Sequence, residues 1–420
     1  MGILAINTGS SSLKFGLFDA DTCEALLAGD IDWAHGDRAR AQFTLRPRNG
    51  RTVTAQVAAP DDITAVRLAV NAAVGSGPAG ADEQSSVAAV GHRVVHGGVE
   101  FRDSVLIDDR VKAGIACLNK LAPLHNPPVL KAIEAIETLL PGVPQVAVFD
   151  TAFFAQLPPK AHLYALPYEF YERWGIRRFG FHGLSHSYCA GRAAELLGRP
   201  LSELRVISCH LGGGCSAAAV RGGVAVATTL GFSPLEGLMM GTRSGSVDPG
   251  ILLHLQREHG LTVEELDHAL NYSSGLLGIS GVSSDLAQIE TAAAQGNERA
   301  RLAFDMFADQ VRSAIGALAA TLGGVDAVTF TDRVGEHSAA LRAAACDGLE
   351  FMGMGLDLER NANPKPDADV ATPDSPARIF VIHTEEELVV AREARRVLAT
   401  SIAPQAKAIR RIPSSAQRPA

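Results

Sequence analysis

The chain has 420 residues, a formal net charge of -8 and a sequence pI near 5.9, with 47% hydrophobic and 20% charged residues. That is a globular composition with room for two or three domains, and its acidic balance argues against nucleic acid as a partner. It shows no signal peptide, no apolar run of membrane-spanning length and no C-x-x-C pair among six cysteines, so a cytoplasmic protein with reduced thiols and no membrane partner is expected.

Residues 3–6 are apolar, 7–12 form a polar, turn-rich loop and 13–18 return apolar, which is a strand–loop–strand signal. A hairpin is expected at 44–57 around Asn49-Gly50, and a Gly-, Ser- and Ala-rich surface connection at 75–86. The periodicity of 129–140, closed by Pro141-Gly142, predicts a helix, and 145–149 a strand ending in Asp150. At 205–221 the first design recurs: apolar 206–209, glycine-rich 210–214 and apolar 217–220. Further on come a long helix (Glu298–Leu322), a strand at 325–331, another at 377–383 and a helix from 385 to about 400. The tail 404–420 has four basic residues and no acid, and is expected to be disordered. This mixture is α/β, and the two similar loops suggest an internal duplication, one domain on each side of about residue 150 with a cleft between them.

Backbone N–H groups at glycine or serine can approach a phosphate closely. Ser10, Ser11, Ser12 and Lys14 form one such group and His210, Leu211, Gly212, Gly213 and Gly214 another, neither with Walker spacing. Arg93 and Arg243 both lie beside glycines, where a guanidinium fork can bind carboxylate or phosphoryl oxygens, although a surface salt bridge is the plainer reading of either alone. His92–His96 reads as a strand, which holds the two rings too far apart for a metal, while His182–His186 lacks an obvious third ligand. His125 precedes Asn126-Pro127-Pro128, and His182 sits between Phe181 and a glycine. Asp150, at the end of a strand, is a candidate Mg2+ ligand. Of Glu385, Glu386 and Glu387, at least two are expected to serve only the helix dipole.

Segments 7–14, 91–98, 149–153, 179–186, 210–214, 231–249 and 385–392 occur in order, and together they resemble the acetate kinase family over about residues 3–400. The run Phe232 to Gly245, FSPLEGLMMGTRSG, is its most specific part. The resemblance implies the duplicated actin/hexokinase/sugar-kinase-like (ribonuclease H-like) fold. It also implies an acyl-kinase domain of 1–151 with 386–403, and a nucleotide-binding domain of 152–385. It implies reversible transfer of the ATP γ-phosphoryl group to acetate or propionate, giving an acyl phosphate and ADP, with Mg2+ (or Mn2+) as cofactor in a homodimer. Asn7 would orient the phosphoryl group near Ser10, Ser12 and Lys14. Arg93 and Arg243 would hold carboxylate and phosphoryl oxygens, His182 would stabilise the transition state and His125 would assist. Asp150, Glu386 and Asn7 would serve the metal, and Val95, Leu124, Phe181 and Pro234 the acyl methyl. The 210–214 loop with Asp285, Arg333, Gly335 and Glu336 would bind nucleotide. An ionised carboxylate acceptor needs no general base.

Departures from the family pattern cluster where the nucleotide is expected. The family's F-T-G-G-I-G-E-N loop reads Phe330-Thr331-Asp332-Arg333-Val334-Gly335-Glu336-His337 here, and its S-S-D-M-R-D stretch has Ala287 for Arg. Gly213 stands for Asn, Phe154 for His and Ser246 for Asp. A bulky residue in place of glycine matters where φ is positive. Arg333 is open to three readings: filling the adenosine site, stacking on the base, or binding phosphate. Two alternatives stay beside an ordinary ATP enzyme: an acyl kinase using another nucleotide or pyrophosphate, and a non-catalytic acyl-phosphate-binding relative.

Overall fold

Strand β1 (Gly2–Thr8) is buried along its whole length, its apolar residues 3–6 followed by buried Asn7 and Thr8, with a neighbouring strand on each edge. It pairs antiparallel with β2 (Ser12–Asp19), which pairs antiparallel with β3 (Ala25–Asp32). Strands β4 (Ala41–Pro47) and β5 (Val53–Val57) extend that edge as the hairpin expected around Asn49-Gly50. On the other side β1 runs parallel to β6 (Val87–Val94), β6 parallel to β8 (Gln145–Phe149), and β7 (Val105–Leu106) antiparallel to β8. The computed structural model describes residues 1–9, 12–33, 38–75, 87–123 and 125–409, with backbone alone over 401–409. Ser10, Ser11, Leu124, all but Gly75 of the expected surface connection, and 410–420 lie outside the described residues.

A second sheet is built from β9 (Arg205–Leu211), β10 (Cys215–Arg221), β11 (Val224–Thr228), β12 (Ala327–Thr331), β13 (Ala368–Asp369) and β14 (Arg378–Val381). Its order is β11-β10-β9-β12-β14-β13, and the first sheet contains the order β3-β2-β1-β6-β8-β7. The pairing senses agree throughout: two antiparallel steps, two parallel steps, then an antiparallel edge. The duplication read from two glycine loops therefore extends over six strands in each half, the ribonuclease H-like arrangement. The chain divides into two compact units, Met1–Ala152 with Glu386–Ala420, and Phe153–Glu385.

In the first unit Leu4, Ile6 and Val90 join one core cluster with Ala65, Val66 and Ala69 of the helix Asp62–Ala73 and with Ala132, Ala135 and Ile136 of the helix Asn126–Leu139. Alternation along the strand turns the next residue, Gly91, to the opposite face. There a Cβ would stand 2.6 Å from Val390 Cγ1, so glycine lets the helix Glu386–Ile409 lie close on the sheet. That helix extends past the expected limit near 400 into the segment expected to be disordered. Gln405, Ala406, Lys407 and Ala408 are good helix formers and carry the backbone on after Pro404. In the second unit the long helix Glu298–Leu322 is found as expected, ending at Gly323 in the left-handed conformation.

Candidate active site

The first unit collects its chemistry at the carboxyl ends of parallel strands, where open α/β sheets bind ligands. The register Ile6↔His92 brings Asn7 and Arg93 side by side. Asp150 follows β8 directly, and Glu386 opens the C-terminal helix. Arg93 Nη2 donates to Asp150 Oδ2 and Nη1 to Glu386 Oε2, each at 2.7 Å, and Nη1 also reaches Asn7 Oδ1 at 3.2 Å. Asn7 Nδ2 donates to Glu386 Oε2 at 3.0 Å and to Glu387 Oε1 at 3.1 Å. Burial opposes the charge on Arg93, but Asp150 and Glu386 outweigh it and hold the guanidinium above its ordinary value.

Glu387, which was not among the expected site residues, thus belongs to the network. Glu385 accepts a 2.9 Å hydrogen bond from the Tyr188 hydroxyl. The expectation that at least two of the three glutamates only serve the helix dipole is corrected: each has a specific side-chain partner.

Other expected residues of this unit lie around that network. Lys14 stands opposite Asn7 in register with an exposed side chain, and Ser12 begins β2, its carbonyl accepting from Gly9 N at 2.8 Å. Val95 is buried, and His125 is half-buried immediately before the helix Asn126–Leu139. His92 is a core residue bonded to Gln145 at 2.7 Å, its pKa pushed down to about 4 by burial.

Among the described residues no group of three or more His, Cys, Asp or Glu converges to form a metal cage. Mg2+ does not need one, since it commonly keeps several waters and takes one or two carboxylates. Glu386 Oε1 is buried without a hydrogen-bond partner, and fully buried Asp150 lies across the same guanidinium. A hard oxygen left unsatisfied beside a second carboxylate fits a small divalent cation.

In the second unit His182 adopts the left-handed conformation (φ 57) just before the helix Gly183–Leu197, so the expected turn is the helix's first step. Its Nδ1 meets Ser216 Oγ at 2.8 Å, and its ring lies 4.1 Å, centroid to centroid, from that of His210. His186, fully buried, bridges Ser208 Oγ (2.9 Å) and Ser216 Oγ (2.8 Å), and burial holds it far below the usual histidine range, hence neutral. His210 Nδ1 pairs with Ser185 Oγ at 2.8 Å. The pair His182–His186 is thus part of a serine-bridged network rather than a metal pair, and Ser185, Ser208 and Ser216 were not foreseen. The partners lie between 22 and 34 residues apart in sequence.

The glycine turn is narrower than expected, because His210 and Leu211 belong to β9 and the Leu211 side chain is core. A Cβ on Gly214 would stand 2.8 Å from Arg243 Nη2 and 3.3 Å from His182 Nε2, so both side chains crowd that glycine. Arg243 donates to Pro234 O at 2.6 Å and, among the described residues, has no carboxylate in ion-pair range; burial lowers its pKa. Phe181 is buried.

The segment after β12 is the short helix Asp332–His337 rather than a loop. Arg333 is exposed and paired with Asp285 at 3.3 Å, and Asp285 also caps the helix Leu286–Ala294 through Ala287 N. The Gly335 and Glu336 carbonyls accept from fully buried Arg342 at 2.8 and 2.9 Å, and Glu336 Oε2 pairs with His383 at 2.9 Å. Phe154 is core, lying against Gly180, and Ser246 Oγ accepts from Gly237 N at 3.1 Å.

Cations and hard oxygens gathered at the strand ends of a twice-repeated α/β core are what transfer between two anions requires, and they place the chain among phosphotransferases. The profile of the acetokinase family matches residues 2–392. The chain is 49% identical over 408 residues to acetate kinase of Cyanothece sp., covering 96% of this chain and 99% of that one. It is 48% identical over 400 residues to acetate kinase of Desulfitobacterium hafniense, covering 95% and 99%. Its fold matches the crystal structure of Porphyromonas gingivalis acetate kinase with a TM-score of 0.84 at 41% identity, and that of a Francisella tularensis propionate kinase with 0.84 at 34%; each match covers 94% of this chain and 99% of the other. The chain belongs to the acetokinase family.

Proposed function

We propose that this chain transfers the γ-phosphoryl group of ATP reversibly to acetate, with propionate as the alternative acid, giving acyl phosphate and ADP. The observation that carries the reading is Arg243, a partly buried guanidinium against Gly214 and beside His182, with no carboxylate in ion-pair range among the described residues. A cation in that state favours an arriving anion, and its fork matches phosphoryl or carboxylate oxygens.

The acceptor carboxylate arrives ionised, so no residue has to remove a proton from it. Its oxygen forms the new bond to the γ-phosphorus. The bond from phosphorus to the β–γ bridging oxygen breaks, and ADP leaves with the electron pair. Arg243 and His182 Nε2 stabilise the charge spread over the phosphoryl oxygens in flight. Ser216 holds His182 Nδ1 and is itself held by neutral His186. Arg93, already locked in orientation by Asp150, Glu386 and Asn7, offers a second cation. Asp150 and Glu386 would hold Mg2+, with Asn7 beside them; when bound, the ion neutralises phosphate charge.

In this reading the chain works in the cytoplasm as a homodimer on small molecules, without nucleic-acid or membrane partners. No helix among the described residues is long and apolar enough to cross a membrane. A second reading, a changed donor, draws on Asp332 and Arg333, which replace two glycines of the family pattern. The test is acyl phosphate formation from acetate and Mg2+ with ATP, GTP and pyrophosphate supplied separately. Turnover with ATP is expected; turnover with another donor alone would favour the second reading, and none with any donor would overturn both.

A further inference from the structure

Asp332 is a non-glycine residue in the left-handed conformation, φ 64, at the first position of the helix after β12. A side chain rarely sits there without a local reason. The register Thr331↔His210 delivers it to the glycine turn. Asp332 Oδ2 lies 3.3 Å from His210 Nε2 and stands 1.7 Å from where a Cβ of Gly212 would be. The space that glycine leaves open at the start of the turn is therefore occupied by a carboxylate oxygen. One residue on, nothing comes within 4 Å of a Cβ placed on Gly213. Asp332 is 31% exposed, so its charge faces solvent at the turn, and the neighbouring cation Arg333 is engaged by Asp285.

We propose that Asp332 is a specificity-determining residue of the donor site, disfavouring bare polyphosphate and admitting donor whose charge a divalent cation has neutralised. The proposal rests on the reading above that this turn receives the donor's phosphates. A phosphate seated on Gly212–Gly214 would lie within roughly 5 Å of the carboxylate, close enough for repulsion to weaken binding by about tenfold or more. A cation on the phosphates removes most of that effect. Asn accepts the left-handed conformation and keeps the shape of the side chain without its charge, whereas Gly also empties the space above Gly212.

The experiment is calorimetric titration of ADP, without metal and with excess Mg2+, into the wild type, Asp332→Asn and Asp332→Gly. Both variants are expected to bind metal-free ADP about tenfold more tightly, with a much smaller gain in Mg2+. Equal metal-free affinities in all three proteins would overturn the proposal, as would a gain in Asp332→Gly that Asp332→Asn does not share, since that would make the effect one of space rather than charge. If Asp332→Asn fails to fold, Asp332→Gly decides by whether its gain shrinks in Mg2+. Wild-type turnover of ATP and acetate, assayed in parallel, tests the functional reading separately. Turnover with unchanged variant affinities sinks the proposal alone, and a metal-free affinity gain without turnover upholds it while sinking the acetate reading.

Discussion

Replacing Arg93 with Met keeps most of its volume and removes its charge. In the wild type the Arg93 side chain is 15% exposed, and it lies between Asp150 at 0% and Glu386 at 9%. The two carboxylate oxygens meet different nitrogens of one guanidinium, so without it they face each other at roughly 5 Å. At an effective dielectric of about 20 that repulsion is about 3 kcal/mol, and removing one partner of a buried pair typically costs about 3–5 kcal/mol. Urea unfolding measures it, read from Trp33, a buried tryptophan of the same unit, in a Trp174→Phe background. Arg93→Met is expected to lose about 3 kcal/mol, and Arg93→Met/Glu386→Gln to recover much of that. The sign with pH follows. Buried carboxyls deprived of the guanidinium have folded-state pKa values raised above the unfolded ones, so the deficit is full where they are ionised and shrinks as pH falls through the raised values. Millimolar Mg2+ should restore the variant more than it stabilises the wild type, because the guanidinium no longer competes for Glu386 and Asp150. A loss below about 1 kcal/mol, or one that Glu386→Gln does not relieve, would refute the charge argument.

Three other outcomes are expected. His182→Ala and Arg243→Ala should each lower kcat by about a hundredfold or more while circular dichroism stays unchanged, with Arg243→Lys a poor substitute because one ammonium cannot reproduce the fork; kcat within about threefold of wild type would remove the residue from the machinery. Arg342, fully buried and pushed down to about 10 by burial, ties Gly335 O and Glu336 O to Asn361. Arg342→Ala should cost about 3 kcal/mol and speed hydrogen exchange across 332–337 in particular, and uniform exchange would contradict that anchoring role. Gly91→Ala should destabilise by about 1–3 kcal/mol through its clash with Val390 and be partly rescued by Val390→Ala, so the absence of rescue would show that the helix does not rest there.

The chemistry of the first unit was largely legible because each residue sits where a readable pattern stops. Apolar 145–149 ends at Asp150, Arg93 lies in a strand-like run that ends at Gly97-Gly98, and the helix onset near 385 carries glutamates. The hairpin ends were misjudged by a residue or two, since Asn7 and Thr8 look like turn residues yet pair with Lys14 and Leu13 in the ladder. The helix Gly183–Leu197 gave little signal because its buried face, Leu184 apart, is built of Ser185, His186, Cys189, alanines and a glycine rather than large apolar groups. The serine bridges to His182 and His186 follow from contacts between distant segments, which no local periodicity encodes. The family's glycines, by contrast, did flag position 332: a side chain there was expected to matter if φ were positive, and φ is 64.

Repetition of the fold explains why that position in particular is sensitive. Strands β1 and β6 of the first sheet correspond to β9 and β12 of the second. In the first, the ladder step Ile6↔His92 sets Asn7 beside Arg93; in the second, Thr331↔His210 hands the next residue, Asp332, to the His210 imidazole. Equivalent strand ends thus carry an amide with a cation in one unit and an imidazole with an acid in the other. A glycine at 332 would leave the second strand end with no side chain, and the turn beside it open to an anion. With aspartate there, the same backbone geometry delivers a negative charge to the glycine turn, and on the proposal that this turn receives the donor's phosphates, a charge at that distance alters donor affinity through electrostatics without any change of fold.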